Sequence, residues 1–166
     1  MANIIVIALC YIGVYLHYYL SKVPRSRARL IDLHYVYSLV FQVGLIGLLF
    51  GFIPHVLFSD ITAERIGWQA GSPFQIEVGI HDGVWGLLGF LCIRFKGGFR
   101  AATAIGWALF MLGAAIGHVV DLVKTGNTEE YNFLMIFVDF FVAFNLSVLT
   151  YLSYKNPVST VQAEGR

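Results

Sequence analysis

Long apolar stretches separated by short polar segments dominate the pattern of this chain. Five of them are long enough to cross the hydrocarbon core of a bilayer as helices, which takes about 20 residues. The predicted spans are 2–20, 33–58, 74–95, 101–123 and 131–154. The pattern therefore predicts an all-α integral membrane protein with five transmembrane helices. Residues 1–155 form a single domain in this interpretation, and residues 156–166 form a short disordered tail.

Composition supports a membrane protein and excludes other classes. Hydrophobic residues make up 58% of the chain, charged residues only 13%, and mean hydropathy is +0.73. A soluble domain of this size would need more polar surface. The net charge of +1 gives no reason to expect nucleic-acid binding, so the bilayer is the expected partner. Cys10 and Cys92 lie in separate apolar stretches and have neither metal-site nor disulfide spacing.

The basic residues fall on one side of the predicted topology. Nine of the 11 lysines and arginines lie between spans one and two, between spans three and four, or after span five. Only Arg65 and Lys124 lie on the other side. Because basic loops stay in the cytoplasm, we expect the N-terminus outside and the C-terminus inside. The plasma (inner) membrane is the expected location.

Glycine pairs four residues apart occur in three of the predicted spans. The pairs are Gly47 and Gly51, Gly79 and Gly83, and Gly113 and Gly117. In lipid, such pairs let helices approach closely. They predict a compact bundle or a homo-oligomer that uses these faces, without choosing between the two.

Ionisable side chains inside the predicted spans are the main functional signal. They are Glu77, His81, His118, Asp121 and Asp139. Such residues are costly in hydrocarbon and usually face a bundle interior. Glu77 and His81 share one helix face, and His118 and Asp121 share another. A helical rise of about 1.5 Å per residue places His81, His118 and Asp139 at similar depth on the outer side.

These residue types suit more than one chemistry. Carboxylates and imidazoles ligate zinc, manganese or iron, and the predicted ligands are Glu77, His81, His118 and Asp139. Asp121 and Asn132 would orient those ligands or line the way in. The same groups could instead relay protons for a small solute. A haem held by His81 and His118 fits less well, because nothing fixes their separation.

Three classes of function therefore stay open, and the sequence does not decide whether the protein is an enzyme. The first is binding of a divalent cation or proton relay for a small solute. The second is a quinone- or haem-linked subunit of a membrane oxidoreductase. The third is a non-catalytic assembly subunit whose polar cluster only fixes helix register. We expect His55 to be interfacial rather than a ligand, and Asp82 to pair with Arg65 or another outer-loop group.

Residues 33–154 resemble the DoxX-like group of small integral membrane proteins in the order of their parts. A glycine-rich span ends in the segment GFIPH at 51–55, a helix opens at Glu77, and the segment 111–118 ends in His118. The resemblance implies a four-helix core, here preceded by an extra first helix, and a link to thiosulfate oxidation with quinone as acceptor. Glu77 is the one position that the resemblance carries over. The stretch 71–77 also resembles an uncharacterised family of small multi-pass membrane proteins with the same layout.

Overall fold

The computed structural model describes residues 2–158, and helices account for most of that range. The helices are α1 (Ala2–Leu20), α2 (Arg27–Leu57), α3 (Ser59–Ile66), α4 (Phe74–Leu91), α5 (Gly98–Thr125) and α6 (Glu130–Lys155). No strand occurs within residues 2–158. In that part of the chain, four helices (α1, α2, α5 and α6) are long and apolar enough to span a membrane. The predicted all-α, multi-pass class is confirmed at this level, whereas the fifth span is not.

The bounds of the helices differ from the prediction mainly where charged residues extend a helix. α1 has the predicted bounds, but α2 begins at Arg27 rather than at residue 33. The Ser26 side chain caps α2 by accepting a hydrogen bond from the Arg29 amide. Its first turns carry charges and were therefore predicted to be a loop. The predicted tail, 156–166, lies outside the described residues from 159 onward.

The middle of α2 is wound as a π-helix from Leu39 to Phe52. The Ile53 amide, for example, donates to the carbonyl of Leu48, five residues back. This winding is rare and usually short. It rotates successive side chains by a smaller angle than an α-helix does, so an α-helical interpretation of the sequence misplaces the faces of this segment.

Glycines bring α2 and α4 into backbone contact. A Cβ atom at Gly47 would lie 2.7 Å from the carbonyl oxygen of Asp82. A Cβ atom at Gly89 would lie 2.5 Å from the amide nitrogen of Gly44. Because these neighbours are backbone atoms, they cannot move aside as a side chain would. The close contact turns the inner face of α4, including Asp82, toward α2.

Two of the three predicted glycine pairs serve this contact. The pair on α2 faces Asp82, and the pair on α4, Gly79 and Gly83, faces the last turns of α2. Close packing inside the bundle is therefore confirmed for these pairs. Gly113 and Gly117 on α5 differ, because a Cβ atom added at either would meet no atom of the described residues within 4 Å.

The remaining helices pack around a second contact, between α5 and α6. Its core contains Trp107, which is 1% exposed, and the fully buried Leu146. α1 is tied to this core through Asn145 of α6. The Tyr11 hydroxyl donates to Asn145 Oδ1 at 2.9 Å, and Asn145 Nδ2 donates to Gln42 Oε1 at 2.9 Å. These bonds link α1, α6 and α2, as interhelical hydrogen bonds do in membrane bundles.

The outward surface of the bundle is apolar. Large exposed side chains include Leu9 on α1, Leu109 on α5 and Phe144 on α6. A contiguous apolar surface of this kind is rare in soluble monomers. It is consistent with the predicted lipid environment.

Candidate functional site

A cavity of about 370 Å³ lies at the end of the bundle where α1, α4 and α6 begin and α2 and α5 end. Most of its wall is aromatic or aliphatic. The carboxyl, imidazole and amide side chains in its lining are Asn3, His55, Asp82, His118 and Asp139. Among the residues that the structure describes, this lining has two carboxylates and no lysine or arginine. A mainly apolar cavity with a few convergent polar groups is the usual form of a small-molecule site.

His118 and Asp139 meet inside this cavity. His118 Nδ1 donates to Asn132 Oδ1 at 2.6 Å, and Asn132 Nδ2 donates to the Asn127 carbonyl at 3.2 Å. Since Asn132 fixes the proton on Nδ1, Nε2 is left to face Asp139 Oδ2, at 3.8 Å. Asn132, predicted as a supporting group, is fully buried and orients the imidazole. The free imidazole nitrogen and the carboxyl group therefore face each other directly.

His81 and Asp82 form a second pair on α4. His81 Nδ1 lies 3.2 Å from Asp82 Oδ1, and the Trp85 indole N–H donates to His81 Nε2 at 2.9 Å. The His81 ring packs against Phe110, with 4.2 Å between centroids, and 39% of the side chain is exposed. Asp82 is buried and lines the cavity, whereas His81 does not line it and touches the lining residue Phe110.

Glu77 does not face the cavity. It is exposed, on the outer side of α4, and lies outside the cavity lining. Asp82 lines the cavity instead. The expectation that Asp82 pairs with Arg65 or another outer-loop group is wrong, because the partner of Asp82 is His81 on the same helix. The positions of the glycines along α4 could have indicated that Asp82, and not Glu77, faces inward. Asp82 shares a face with Gly79 and Gly86, and this glycine face packs against α2.

Asp121 lies at the mouth of the cavity rather than among its lining residues. It accepts hydrogen bonds from Trp68 Nε1 at 3.0 Å and from Asn127 Nδ2 at 2.7 Å. The Trp68 ring stacks on the His118 ring with 5.9 Å between centroids. Asp121 therefore holds in place the indole that covers His118.

The four predicted metal ligands do not converge. Across residues 2–158, no group of three or more His, Cys, Asp or Glu side chains is arranged to hold a metal ion. His118 and Asp139 approach each other, but His81 pairs with Asp82 and Glu77 is exposed. The pairs suit proton exchange better than metal coordination, because each offers one imidazole and one carboxyl group.

Two further residues of the site were missed or misplaced by sequence reasoning. His55 is buried and its Nδ1 lies 2.5 Å from Gln75 Oε1, so it lines the cavity instead of lying at the interface. Asn3 is 6% exposed; its Nδ2 donates to Met135 Sδ at 3.4 Å. In the described part of the chain, Asn3 Oδ1 is the one buried side-chain nitrogen or oxygen without a hydrogen-bond partner. A lone amide near the start of an apolar helix was the available signal.

Comparison with known proteins identifies the family. Residues 1–159 match a family of unknown function, DUF6790. The chain belongs to DUF6790. The DUF6790 match includes α1 along with the other helices, and it bears out membership in a family of unknown function. The DoxX-like resemblance receives no support. No curated protein and no solved structure matches this DUF6790 chain.

Proposed function

We propose that this protein binds a small organic cation, a protonated amine with an apolar body, and exchanges it for protons across the membrane. The observation that carries the proposal is the charge of the cavity lining. Asp82 and Asp139 are its carboxylates, and the described residues place no lysine or arginine there. A carboxylate buried among apolar side chains needs either a proton or a counter-cation. A solute cation and a proton would therefore compete for the same groups.

The walls of the cavity suit an apolar cation. Trp107, Phe110 and Tyr131 all line it. The faces of aromatic rings attract cations by roughly 0.5–2 kcal/mol, the larger value applying where water is excluded. The two carboxylates and the ring faces would repel an anion.

Asn3 favours an amine that still carries N–H groups. Asn3 lines the same cavity, and its Oδ1 atom is buried. Among the described residues, this oxygen has no hydrogen-bond partner. An amide oxygen can only accept hydrogen bonds, so the matching group on the solute is a donor. Leaving such an acceptor unpaired costs about 1–3 kcal/mol, which a primary ammonium group would recover and a quaternary one would not.

His118 and Asp139 supply the proton in this proposal. The imidazole is fixed by Asn132 and faces the carboxyl group with its free nitrogen. A cation that reaches Asp139 would displace the proton shared by the pair. When the cation leaves, a proton would return to the pair. Solute and proton would therefore move in opposite directions.

Exchange across the membrane needs a defined topology, and we place α4 as the fifth span. At about 1.5 Å per residue its 18 residues reach roughly 27 Å, close to the hydrocarbon thickness. Its mean hydropathy is lowered by buried polar residues that face the bundle, such as Gln75 and Asp82. The large hydrophobic side chains that it exposes outside the bundle are Phe74, Ile76, Ile80, Val84, Leu87 and Leu91. With five spans, the basic loops place the N-terminus outside and the C-terminus in the cytoplasm.

Cysteine labelling tests this topology. Single cysteines would be introduced by Ser72→Cys before α4 and Lys96→Cys after it, in a chain with Cys10 and Cys92 changed to alanine. A membrane-impermeant maleimide added to intact cells should label the first and leave the second for permeabilised cells. Labelling of both positions from the same side would contradict the fifth span.

Proteoliposomes test the exchange itself. A pH-sensitive dye inside the vesicles should report a larger rise in internal pH on addition of hydrophobic primary amines than protein-free vesicles show, where only the neutral amine diffuses in. Once this baseline is subtracted, quaternary analogues should be at least about tenfold weaker, as the unpaired acceptor predicts. Asp139→Asn should abolish the response. Glu77→Gln is the matched control, because Glu77 lies outside the cavity, and it should leave the response unchanged.

Several results would overturn the proposal. One is an unchanged response in folded Asp139→Asn; another is equal loss in both variants. A stoichiometric metal or a haem absorption band in the purified protein would instead favour the divalent-cation or the haem-linked alternative, and a bound quinone would favour the oxidoreductase alternative. Absence of any response with the wild-type protein would favour the assembly-subunit hypothesis. Self-association stays a prediction, and Gly113 and Gly117 are the glycine pair available for it.

A further inference from the structure

A second cavity, of about 610 Å³, lies at the opposite end of the bundle. It is lined by the end of α1, the following loop, the first half of α2, the turn after α4, the start of α5 and, after α6, Val158. Its members include His17, Val23, Arg29, Ile93 and Arg100. The basic loops lie at this same end. Within the described part of the chain, its lining has two arginines and no carboxylate, the reverse of the first cavity.

The charge of Arg100 is balanced within the protein. Its Nη1 atom donates to Asp32 Oδ1 at 3.0 Å, and its Nε donates to the Cys92 carbonyl at 2.8 Å. Arg100 is 4% exposed, so this ion pair is almost fully enclosed. It fixes the start of α5 against α2.

Arg29 is buried against uncharged oxygens. It is 6% exposed, and its guanidinium donates to the carbonyls of Val23 and Pro24 and to the Ser21 hydroxyl. Its ring partner is Tyr18, at 5.7 Å. The ion pairs formed among residues 2–158 do not include Arg29. A buried charge without an opposite charge is strongly unfavourable, so an anion at this site would stabilise the structure.

Apart from His17 and the Tyr37 hydroxyl, which lie 3.2 Å apart, the rest of the cavity is apolar. It lies along a helix that is long and apolar enough to cross the membrane. Leu33, Val36, Val40 and Phe41 of α2 form one wall, leading away from Arg29 toward the middle of the helix. The volume far exceeds what a phosphate group alone would need, since a water molecule takes about 30 Å³ in the liquid. A ligand that fills the site therefore combines an anionic head with an apolar chain.

We propose that this second cavity binds an anionic phospholipid, with its phosphate against Arg29 and an acyl chain along Val36 and Val40. Arginine suits this role because its planar guanidinium can donate two parallel hydrogen bonds to a phosphate. Basic pockets between helices at the cytoplasmic end of a bundle are placed to meet such head groups. The inference is independent of cation exchange in the first cavity.

Native mass spectrometry of the full chain in detergent tests the site, with phosphatidylglycerol and phosphatidylcholine of identical acyl chains as probes. The wild-type protein should retain phosphatidylglycerol about tenfold better, and Arg29→Gln should remove that preference. Arg27→Gln is the matched control, because Arg27 is exposed on the same helix, and it should keep the preference. Val40→Phe, which fills the apolar wall, should weaken phosphatidylglycerol binding about tenfold although both arginines remain.

The proposal fails if the wild-type protein shows no preference between the two lipids, or if Arg27→Gln and Arg29→Gln lower it equally. Thermal unfolding with inorganic phosphate provides a further arm. If phosphate stabilises the protein as much as the anionic lipid does, the site binds a free anion and the lipid proposal is wrong. If Arg29→Gln does not fold, the lipid preference of the wild type and the Val40→Phe result decide the question.

Discussion

The close contact between α2 and α4 makes Gly89→Ala a sensitive probe of the fold. The new methyl group would lie 2.5 Å from the Gly44 amide nitrogen and 2.7 Å from the Leu39 carbonyl oxygen. Real Cβ atoms essentially never approach other atoms closer than 3.0 Å. The two helices must therefore separate locally by about half an ångström, because backbone atoms cannot rotate away.

The expected loss follows from that separation. A gap of about 0.5–1 Å forfeits roughly a quarter to a half of each dispersion contact along the interface. Overpacking of this kind typically costs about 1–3 kcal/mol. Replacing glycine by alanine in a helix returns at most about 1 kcal/mol. We therefore expect Gly89→Ala to lower the free energy of unfolding by about 1–2 kcal/mol.

Gly113→Ala on α5 is the matched control, because it makes the same chemical change where no atom of the described residues lies within 4 Å. It should leave stability unchanged or raise it by up to about 1 kcal/mol. Reversible unfolding in mixed micelles with increasing dodecyl sulfate, followed by circular dichroism, measures both variants. If Gly89→Ala is as stable as Gly113→Ala, backbone contact does not hold α2 against α4 and the argument is refuted.

Three other perturbations test separate parts of the structure. Asn145→Leu removes the bond to Gln42 and should cost about 1–2 kcal/mol in the same micelle titration; no loss would mean that this network does not hold the helices together. Trp68→Phe keeps a ring over the cavity mouth but loses the N–H donor to Asp121, so amide exchange in the loop around residue 68 should accelerate, and unchanged exchange would contradict the proposed cover. Cys10 is fully buried, so a thiol reagent should label it only after unfolding, and rapid labelling of the folded protein would show that α1 detaches readily.

The helices themselves were predictable because lipid leaves the backbone little choice. With no water to satisfy amide and carbonyl groups, an apolar run of sufficient length must form a helix. α1 accordingly has the predicted bounds, and α5 and α6 differ by a few residues at their ends. The charged start of α2 was missed because hydropathy measures burial in lipid, whereas Ser26 capping extends the helix beyond it.

The pairing of residues across helices was only partly predictable. His118, Asn132 and Asp139 were expected in one cluster on the outer side, and the structure brings them together. Glu77 and Asp82 are five residues apart on one helix, and Glu77 was preferred because its spacing of four residues puts it on the same face as His81. The choice was made by the glycines of α4, which can approach α2 only if their own face, with Asp82, turns inward.

By itself, the sequence determined that this is a helical membrane protein with polar groups toward one end and basic groups toward the other. Both follow from local properties, namely apolar length and the position of charges along the chain. Only the tertiary structure decided which of those groups share a cavity. The π-helical segment of α2 and the packing of α1 beside Met135 bring Asn3, Asp82 and Asp139 around one space. Such an arrangement depends on helix rotation and backbone approach, which are set by contacts between residues far apart in the chain.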